Sequence, residues 1–395
     1  MIENHNPLLI RVTTVPLSLH KLLKGQMSYM QEKGFLVHMV TSPGPEIAAI
    51  LESEGCGLTT ISMTRNISPM QDFLSLIRLF VLFFKMKPAI IHTHTPKAGL
   101  LGMIAASLAG VPVKLHTIAG LPWMESKGIK KLLLRKIEKL TISFSTRVHV
   151  NSLNLLHFIR REGIDSTPSK LKLIGNGSSN GIDTAYFSRA VVSIDQVNEL
   201  KQLSKLKKHG FVWLFVGRIV GDKGILELVE AFIKIQVQHP DDQLWLVGPS
   251  EKKDGLKTGL QSIINENENI ISWGYCDDVR PFFTAADALV FPSYREGFPN
   301  VPLQAAAIGC PMILSDINGC NEIVQNNVNG LLVPVKDTNA LASAMSFMRC
   351  NDEQRKNFAD KSLDVIKKKY SNQAIWMLLE EEYKELLATK KYKND

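Results

Sequence analysis

One pattern runs through this chain twice: short apolar runs that read as buried strands, each followed by a helical segment. In the first half the runs are Leu8–Val15, Phe35–Thr41, Ala89–Thr93, Val113–Thr117 and Arg147–Val150. Turn formers then crowd together from Gly175 to Gly181. The pattern restarts at Val212–Val216 and continues through Gln243–Val247, Ile270–Trp273, Ala288–Phe291, Met312–Leu314 and Leu331–Val333. Strands alternating with helices imply parallel sheets covered on both faces. The restart predicts two such domains, so the fold class is α/β with two doubly wound sheets. In open parallel sheets ligands bind at the carboxyl ends of the strands. Polar clusters just after predicted strands are therefore the candidate sites.

The most informative of these follows the run ending at Phe291 and reads FPSYREGFPNVPLQAAAIG, from Phe291 to Gly309. A strand-to-helix turn gathers free backbone N–H groups and the positive helix end at one spot, where an anion can sit. The carboxylate of Glu296 suits sugar hydroxyls beside a phosphate better than the phosphate itself. The amides of Gly297, Phe298 and Asn300 are candidate donors, whereas Pro299 has no N–H to give. Taken alone, Glu296 reads better as a solvated turn residue or a helix N-terminal charge. Earlier, Phe215-Val-Gly217-Arg218-Ile-Val-Gly-Asp-Lys223-Gly224 leaves a predicted strand and opens a helix. Gly217 allows close backbone approach, and the cations of Arg218 and Lys223 flank the loop within reach of a diphosphate. The bland alternative is a basic surface loop, and the order of residues is not that of a P-loop.

The first half offers three clusters. Ile91-His92-Thr93-His94-Thr95-Pro96-Lys97-Ala98-Gly99 ends one strand; its two histidines are read as pointing to opposite faces, hence not as chelators of one metal. His116 ends the next strand, in Leu115-His-Thr-Ile-Ala-Gly120. Gly25, after Lys24, lies in the first strand-to-helix connection. Each has a structural alternative, a strand-end histidine or an ordinary helix start. No Ser-His-Asp arrangement is evident, so no hydrolytic triad is expected.

The segment from Glu296 to Gln304 resembles the Glu-x7-Glu motif of the retaining glycosyltransferases of family 4, with Gln304 standing where the family has its second Glu. The Gly217-Arg218 and Lys223-Gly224 pairs resemble that family's Gly-Arg and Lys-Gly. The resemblance covers nearly the whole chain and is strongest from Phe211 to Val333. It implies the GT-B fold, two Rossmann-like domains facing a cleft. The implied domains are an acceptor-side domain over residues 1–180, a donor domain over 181–370, and a C-terminal helix within 371–395 crossing back to the first. It implies sugar transfer from a nucleotide diphosphate, first a UDP-hexose or UDP-N-acetylhexosamine and second a GDP-sugar. The acceptor would be a glycan on a polyprenyl diphosphate, as in capsule, O-antigen or glycoprotein glycan assembly. Arg218 and Lys223 would neutralise the leaving diphosphate in place of a metal, so no cofactor is expected. Glu296 and His116 would contact the donor sugar, Gln304 the ribose, Gly25 the phosphate, and His94 and Lys97 the acceptor. Gln304 removes a charge and with it some hydrogen-bond strength. Two other readings stay open: a UDP-sugar 2-epimerase of the same fold, and a nucleotide-sugar-binding scaffold, which only Gln304 favours.

Composition narrows the setting. The formal net charge is +8, but no nucleic-acid-binding motif accompanies it and the aromatics do not interleave with the cations. A diphosphate substrate or an anionic lipid surface accounts for the charge better. The five cysteines show no C-x-x-C spacing and read as small buried residues in a reducing compartment. Phe73–Met86 is the most apolar window and falls short of the ~20 residues a membrane span needs. The N-terminus lacks a signal peptide's basic start and apolar core, so a cytoplasmic protein is expected. From Lys127 to Leu140 an amphipathic helix is predicted, with Ile129, Leu132, Leu133, Ile137 and Leu140 near helical spacing among six cations and one Glu. Such a helix packs on a core or rests on the inner face of an anionic membrane.

Overall fold

A computed structural model describes residues 6–64, 66–124, 126–164, 167–250, 256 and 258–391. The chain forms two compact units: residues 1–180 together with 373–395, and residues 181–372.

In the first unit, described residues form strands β1 (Leu8–Val12), β2 (Leu36–Thr41), β3 (Gly57–Thr60), β4 (Ile90–His94), β5 (Val113–Ile118), β6 (Arg147–Val150) and β7 (Leu171–Leu173). All pair in parallel, in the order β3-β2-β1-β4-β5-β6-β7. The second unit carries β8 (Val212–Val216), β9 (Gln243–Val247), β10 (Ile270–Gly274), β11 (Ala288–Phe291), β12 (Met312–Ser315) and β13 (Leu331–Val333). Their order is β10-β9-β8-β11-β12-β13, again all parallel. In each sheet the winding reverses beside its first strand, between β1 and β4 and between β8 and β11. That reversal opens the crevice where doubly wound sheets bind ligands.

The apolar runs become the central strands because both of their faces are covered by helices; every residue of β4, β8, β9 and β11 is buried. The edge strands β3 and β7 have no counterpart in the sequence reading. They are short, and Gly57, Thr59, Thr60 and Lys172 interrupt any apolar run.

The last helix, Asn372–Lys391, supplies Leu379, Tyr383 and Leu386 to the core built on Leu9, Met27 and Leu115. Its Tyr383 hydroxyl meets the buried guanidinium of Arg11 and lies 2.6 Å from His92 Nδ1. Its Glu382 pairs with Arg147 at 2.9 Å and with Lys172.

Two helices depart from the usual polar outer face. Helix Pro69–Met86 buries Ser75, Leu79 and Phe83, yet its opposite side exposes Met70, Phe73, Leu74, Ile77, Val81 and Phe84. The basic helix spans Gly128–Phe144 and buries Glu138, Thr141 and Ile142. Ile129 is 87% exposed and Leu132 55%, and Leu133 and Leu140 are exposed as well. The side expected to seek a core thus faces outward, and the single acid of the helix faces in. Among the described residues no helix is long and apolar enough to cross a membrane. Of the cysteines, Cys56, Cys310 and Cys320 are buried, Cys276 is partly buried and Cys350 is exposed, so the expectation of burial fails at Cys350.

Candidate active site

In the second unit, the loops after β8 and β11 meet at the sheet's reversal point. Lys223 Nζ lies 2.5 Å from Glu296 Oε1 and over the ring of Phe291. Two further ties hold the loops together. The Tyr294 N–H donates to the Asp222 carbonyl at 2.9 Å, and the Tyr294 hydroxyl donates to the buried Glu227 carboxylate at 2.8 Å. Gly224 has a left-handed φ of +71° and sits against the Pro292 carbonyl, where a side chain would collide. This close approach explains why glycine follows Lys223. Gly217 and exposed Arg218 start the loop, and half-buried Gln304 lies on helix Asn300–Ile308, whose N-terminus follows Pro299.

The sequence reading missed the brace under this loop. Asn318 Nδ2 donates to the carbonyls of Glu296 at 3.1 Å and Gly297 at 2.6 Å. Held this way, the carbonyls fix the peptide planes that carry the amides of Gly297 and Phe298. The Asn318-Gly319 dipeptide follows β12 and is a turn signal, so it was there to be found. Lys223 and Glu296, assigned to diphosphate and sugar respectively, form one ion pair.

In the first unit, a cavity of about 140 Å³ opens at the ends of β4 and β5, lined in part by His94, Thr95, His116, Gly120 and Glu138. The fit is tight. A Cβ at Gly99 would stand 2.8 Å from His116 Nδ1 and 2.9 Å from Nε2, closer still to Cε1. The glycine of the Pro96-Lys-Ala-Gly99 run therefore makes the room for the ring of His116. Thr95 holds a left-handed φ of +74°, a conformation that costs a β-branched residue on the order of 1–3 kcal/mol. Thr14 holds it there: its Oγ1 lies 2.6 Å from Thr95 Oγ1 and accepts from the Ala98 N–H at 3.2 Å, capping the helix Pro96–Leu108. Burial pushes His116 down to about 4 and His94 and His92 well below the usual histidine range. These rings are neutral near pH 7.

Three expectations change here. His92 and His94 do not point to opposite faces: residues two apart on a strand share a face, and the rings stack at 4.4 Å. Only His94 lines the cavity. His92 accepts from Arg11 at Nδ1, which leaves Nε2–H for the Thr117 hydroxyl at 2.7 Å. Lys97 is committed elsewhere, to Asp72 at 2.6 Å, Thr64 and the Asn66 carbonyl, so its charge is neutralised away from the cavity. Gly25 donates its N–H to Glu54 at 2.6 Å, and a Cβ there would stand 2.7 Å from Trp376. The amide of this glycine, expected close to the phosphate, is thus taken by a carboxylate, and the glycine serves the packing of the last helix. Among the described residues no group of three His, Cys, Asp or Glu side chains is placed to hold a metal ion.

A family described as glycosyl transferase 4-like matches residues 17–152, and one described as glycosyl transferases group 1 matches residues 210–350. Over 382 residues the chain is 31% identical to the capsular polysaccharide biosynthesis glycosyltransferase CapM of Staphylococcus aureus, covering 97% of this chain and 98% of CapM. The chain belongs to the group 1 glycosyltransferases. A second relative of this transferase is the UDP-Gal:alpha-D-GlcNAc-diphosphoundecaprenol alpha-1,3-galactosyltransferase of Escherichia coli, 30% identical, covering 90% and 88% of the two chains. Among solved structures, a glycosyltransferase from Rickettsia africae superposes with a TM-score of 0.82 at 17% identity, covering 97% and 99%. Anabaena HepE in complex with UDP gives 0.79 at 17%, covering 95% and 99%. The transferase thus has the GT-B fold of two Rossmann-like domains.

Proposed function

We propose that this glycosyltransferase moves a hexose or N-acetylhexosamine from a UDP-sugar to a lipid-linked glycan acceptor, with retention at the anomeric carbon, in surface polysaccharide assembly. The observation that carries the reading is the Lys223–Glu296 pair at the reversal point of the second sheet. A diphosphate arriving there takes Lys223 as counter-charge together with Arg218, and frees Glu296 to accept from sugar hydroxyls. The UDP bound by HepE and the UDP-Gal and diphosphoundecaprenol in the name of the E. coli enzyme support the choice of donor and acceptor class.

Retention requires the acceptor to attack the face from which the diphosphate leaves. In the front-face route the bond from the anomeric carbon to the phosphate oxygen breaks through an oxocarbenium-like ion pair. The acceptor oxygen bonds to the same face, and its proton passes to the departing phosphate oxygen. The protein then has two tasks: to stabilise the leaving charge with Arg218 and Lys223, and to orient the sugar, the role of Glu296. No metal and no separate general base enters this scheme. The test is a panel of UDP-, GDP- and ADP-sugars, with released nucleotide measured with and without a short-chain polyprenyl-diphosphate sugar. Acceptor-dependent release of UDP is expected. An epimerised nucleotide sugar, or tight UDP binding with no release from any donor, would overturn the reading and point to an epimerase or a scaffold weakened at Gln304.

A lipid-linked acceptor brings the enzyme to the inner face of the membrane, and the helix Gly128–Phe144 has the surface for it. Ile129, Leu132, Leu133 and Leu140 are exposed beside Lys136 and Lys139. Anionic lipid attracts such cations by about 1 kcal/mol each. Flotation with phosphatidylglycerol vesicles is expected to carry the protein, weakly in high salt. Lys136→Glu/Lys139→Glu with Leu132→Ser should abolish flotation; unchanged flotation would exclude this face.

A further inference from the structure

Glu138 is the one acid in the stretch Lys127–Leu140, and it is the residue the helix turns inward. Its Oε1 is buried with no hydrogen-bond partner among the described residues. It ends 4.0 Å from Nε2 of His116. That gap is too long for a direct hydrogen bond. The other side of the imidazole is committed: Nδ1 lies 2.8 Å from the Thr93 hydroxyl, and that hydroxyl donates to the Leu115 carbonyl. We assign the ring proton to Nδ1, donating to the Thr93 hydroxyl, whose nearest acceptor is the Leu115 carbonyl at 3.4 Å; in that tautomer Nε2 presents a lone pair. Glu138 and His116 line the same cavity, which is larger than a single water requires. An oxygen at the ~2.8 Å of an ordinary hydrogen bond from each would subtend roughly 90° between them, an angle that suits a hydroxyl.

We propose that Glu138 is a substrate-binding residue: its carboxyl and Nε2 of His116 together clamp one sugar hydroxyl, the carboxyl O–H donating to the hydroxyl oxygen and the hydroxyl hydrogen going to Nε2. The inference rests on the glycosyltransferase reading above and adds to it a side chain in the first unit. The protonation states match. Burial raises Glu138 to about 7 and lowers His116 to about 4, so both are neutral on the acid side of pH 7. The other titratable group bordering the cavity is His94, itself held neutral by burial and by Arg11. On the helix of Glu138, Arg135 is engaged by Glu162 at 3.8 Å. A carboxyl kept in place only for packing would lack a reason to stay, since burying it without a partner is destabilising.

The sugar hydroxyl belongs to the donor or to the acceptor, and the kinetics separate the two. Wild type, Glu138→Gln and Glu138→Ala are assayed for the KM of each substrate at pH 6 and pH 8, with unfolding temperatures measured alongside. Because Gln keeps a donor of the same shape, Glu138→Gln is expected to match wild type at pH 6. It should also lose the weakening that wild type shows at pH 8, where Glu138 ionises. Glu138→Ala should raise one KM about tenfold, the worth of one hydrogen bond, with an unfolding temperature no lower than wild type; the KM that moves identifies the bound sugar. Wild-type KM values in Glu138→Ala, an equal defect in Glu138→Gln, or a wild type indifferent to pH between 6 and 8 would each overturn the clamp while leaving the transferase reading intact. A wild type inactive with every donor would overturn both. If Glu138→Ala does not fold, the Gln variant and the pH profile still decide.

Discussion

Lys223→Ala is expected to lower kcat by about a hundredfold or more, with Arg218→Ala close behind. Removing one preorganised donor from a developing oxyanion costs about 10²–10³ in rate, and in the proposed mechanism the charge to be stabilised is a leaving diphosphate. Lys223 carries a second burden, because its ammonium is the counter-ion of Glu296 at 2.5 Å, with both side chains largely buried. The alanine variant therefore leaves a carboxylate beside an incoming anion, and UDP affinity should fall with kcat. A companion variant separates the two effects. Lys223→Ala/Glu296→Gln removes the stranded charge, so it should recover UDP binding and unfolding temperature relative to Lys223→Ala while remaining inactive. The measurements are released nucleotide at saturating donor, calorimetric UDP affinity and thermal unfolding. Near-wild-type turnover in Lys223→Ala would remove the diphosphate from this loop.

Gly99→Ala is the second large effect, from a residue that touches no substrate. The new methyl would need the space occupied by the ring of His116. That ring cannot retreat, since it is buried and tied to Thr93. Overpacking of this kind costs about 1–3 kcal/mol of stability. A displacement of about 1 Å at a substrate-orienting group can cost a hundredfold in rate. We expect kcat/KM to fall by that order while the isolated interaction with UDP is unchanged, because the nucleotide loops lie in the other unit. Gly102→Ala, which would press instead on the Thr93 methyl, should destabilise without the same kinetic signature. Equal kcat/KM for Gly99→Ala and wild type would show that His116 tolerates displacement.

The central strands were legible because a buried parallel strand is a short continuous apolar run; the longer apolar window Phe73–Met86 lies in a helix. The edge strands β3 and β7 were not, since only one of their seven residues is fully buried and they carry no such signature. The loops of Lys223 and Glu296 were legible for a different reason: glycine, proline and charge fall at fixed offsets after a strand. Asn318 escaped because a brace acts through its side-chain amide on another loop's carbonyls, a contact that no spacing within one segment encodes. Glu138 escaped through a sound rule misapplied. Apolar spacing locates a face of a helix without saying which face meets the core, and here the stripe through Ile129, Leu132 and Leu133 is the outer one. Lys97 and Gly25 show the converse, residues of the right type in the right loop whose groups are occupied by Asp72 and Glu54.

The first unit takes its strands from residues before 181 and its closing helix from residues after 372. A chain emerging from the ribosome presents Arg11, His92 and Arg147 long before Tyr383 and Glu382 exist to meet them. The intervening unit has its own core and every strand of its sheet, so it can complete its folding first, and domains generally fold as they emerge. The order of maturation is then inside out, with the middle of the polypeptide finishing before its beginning. Until the last helix emerges, the hydrophobic bed that Leu379 and Leu386 will cover stays open. A chain cut short between residues 372 and 383 would carry a complete second unit attached to an unfinished first one.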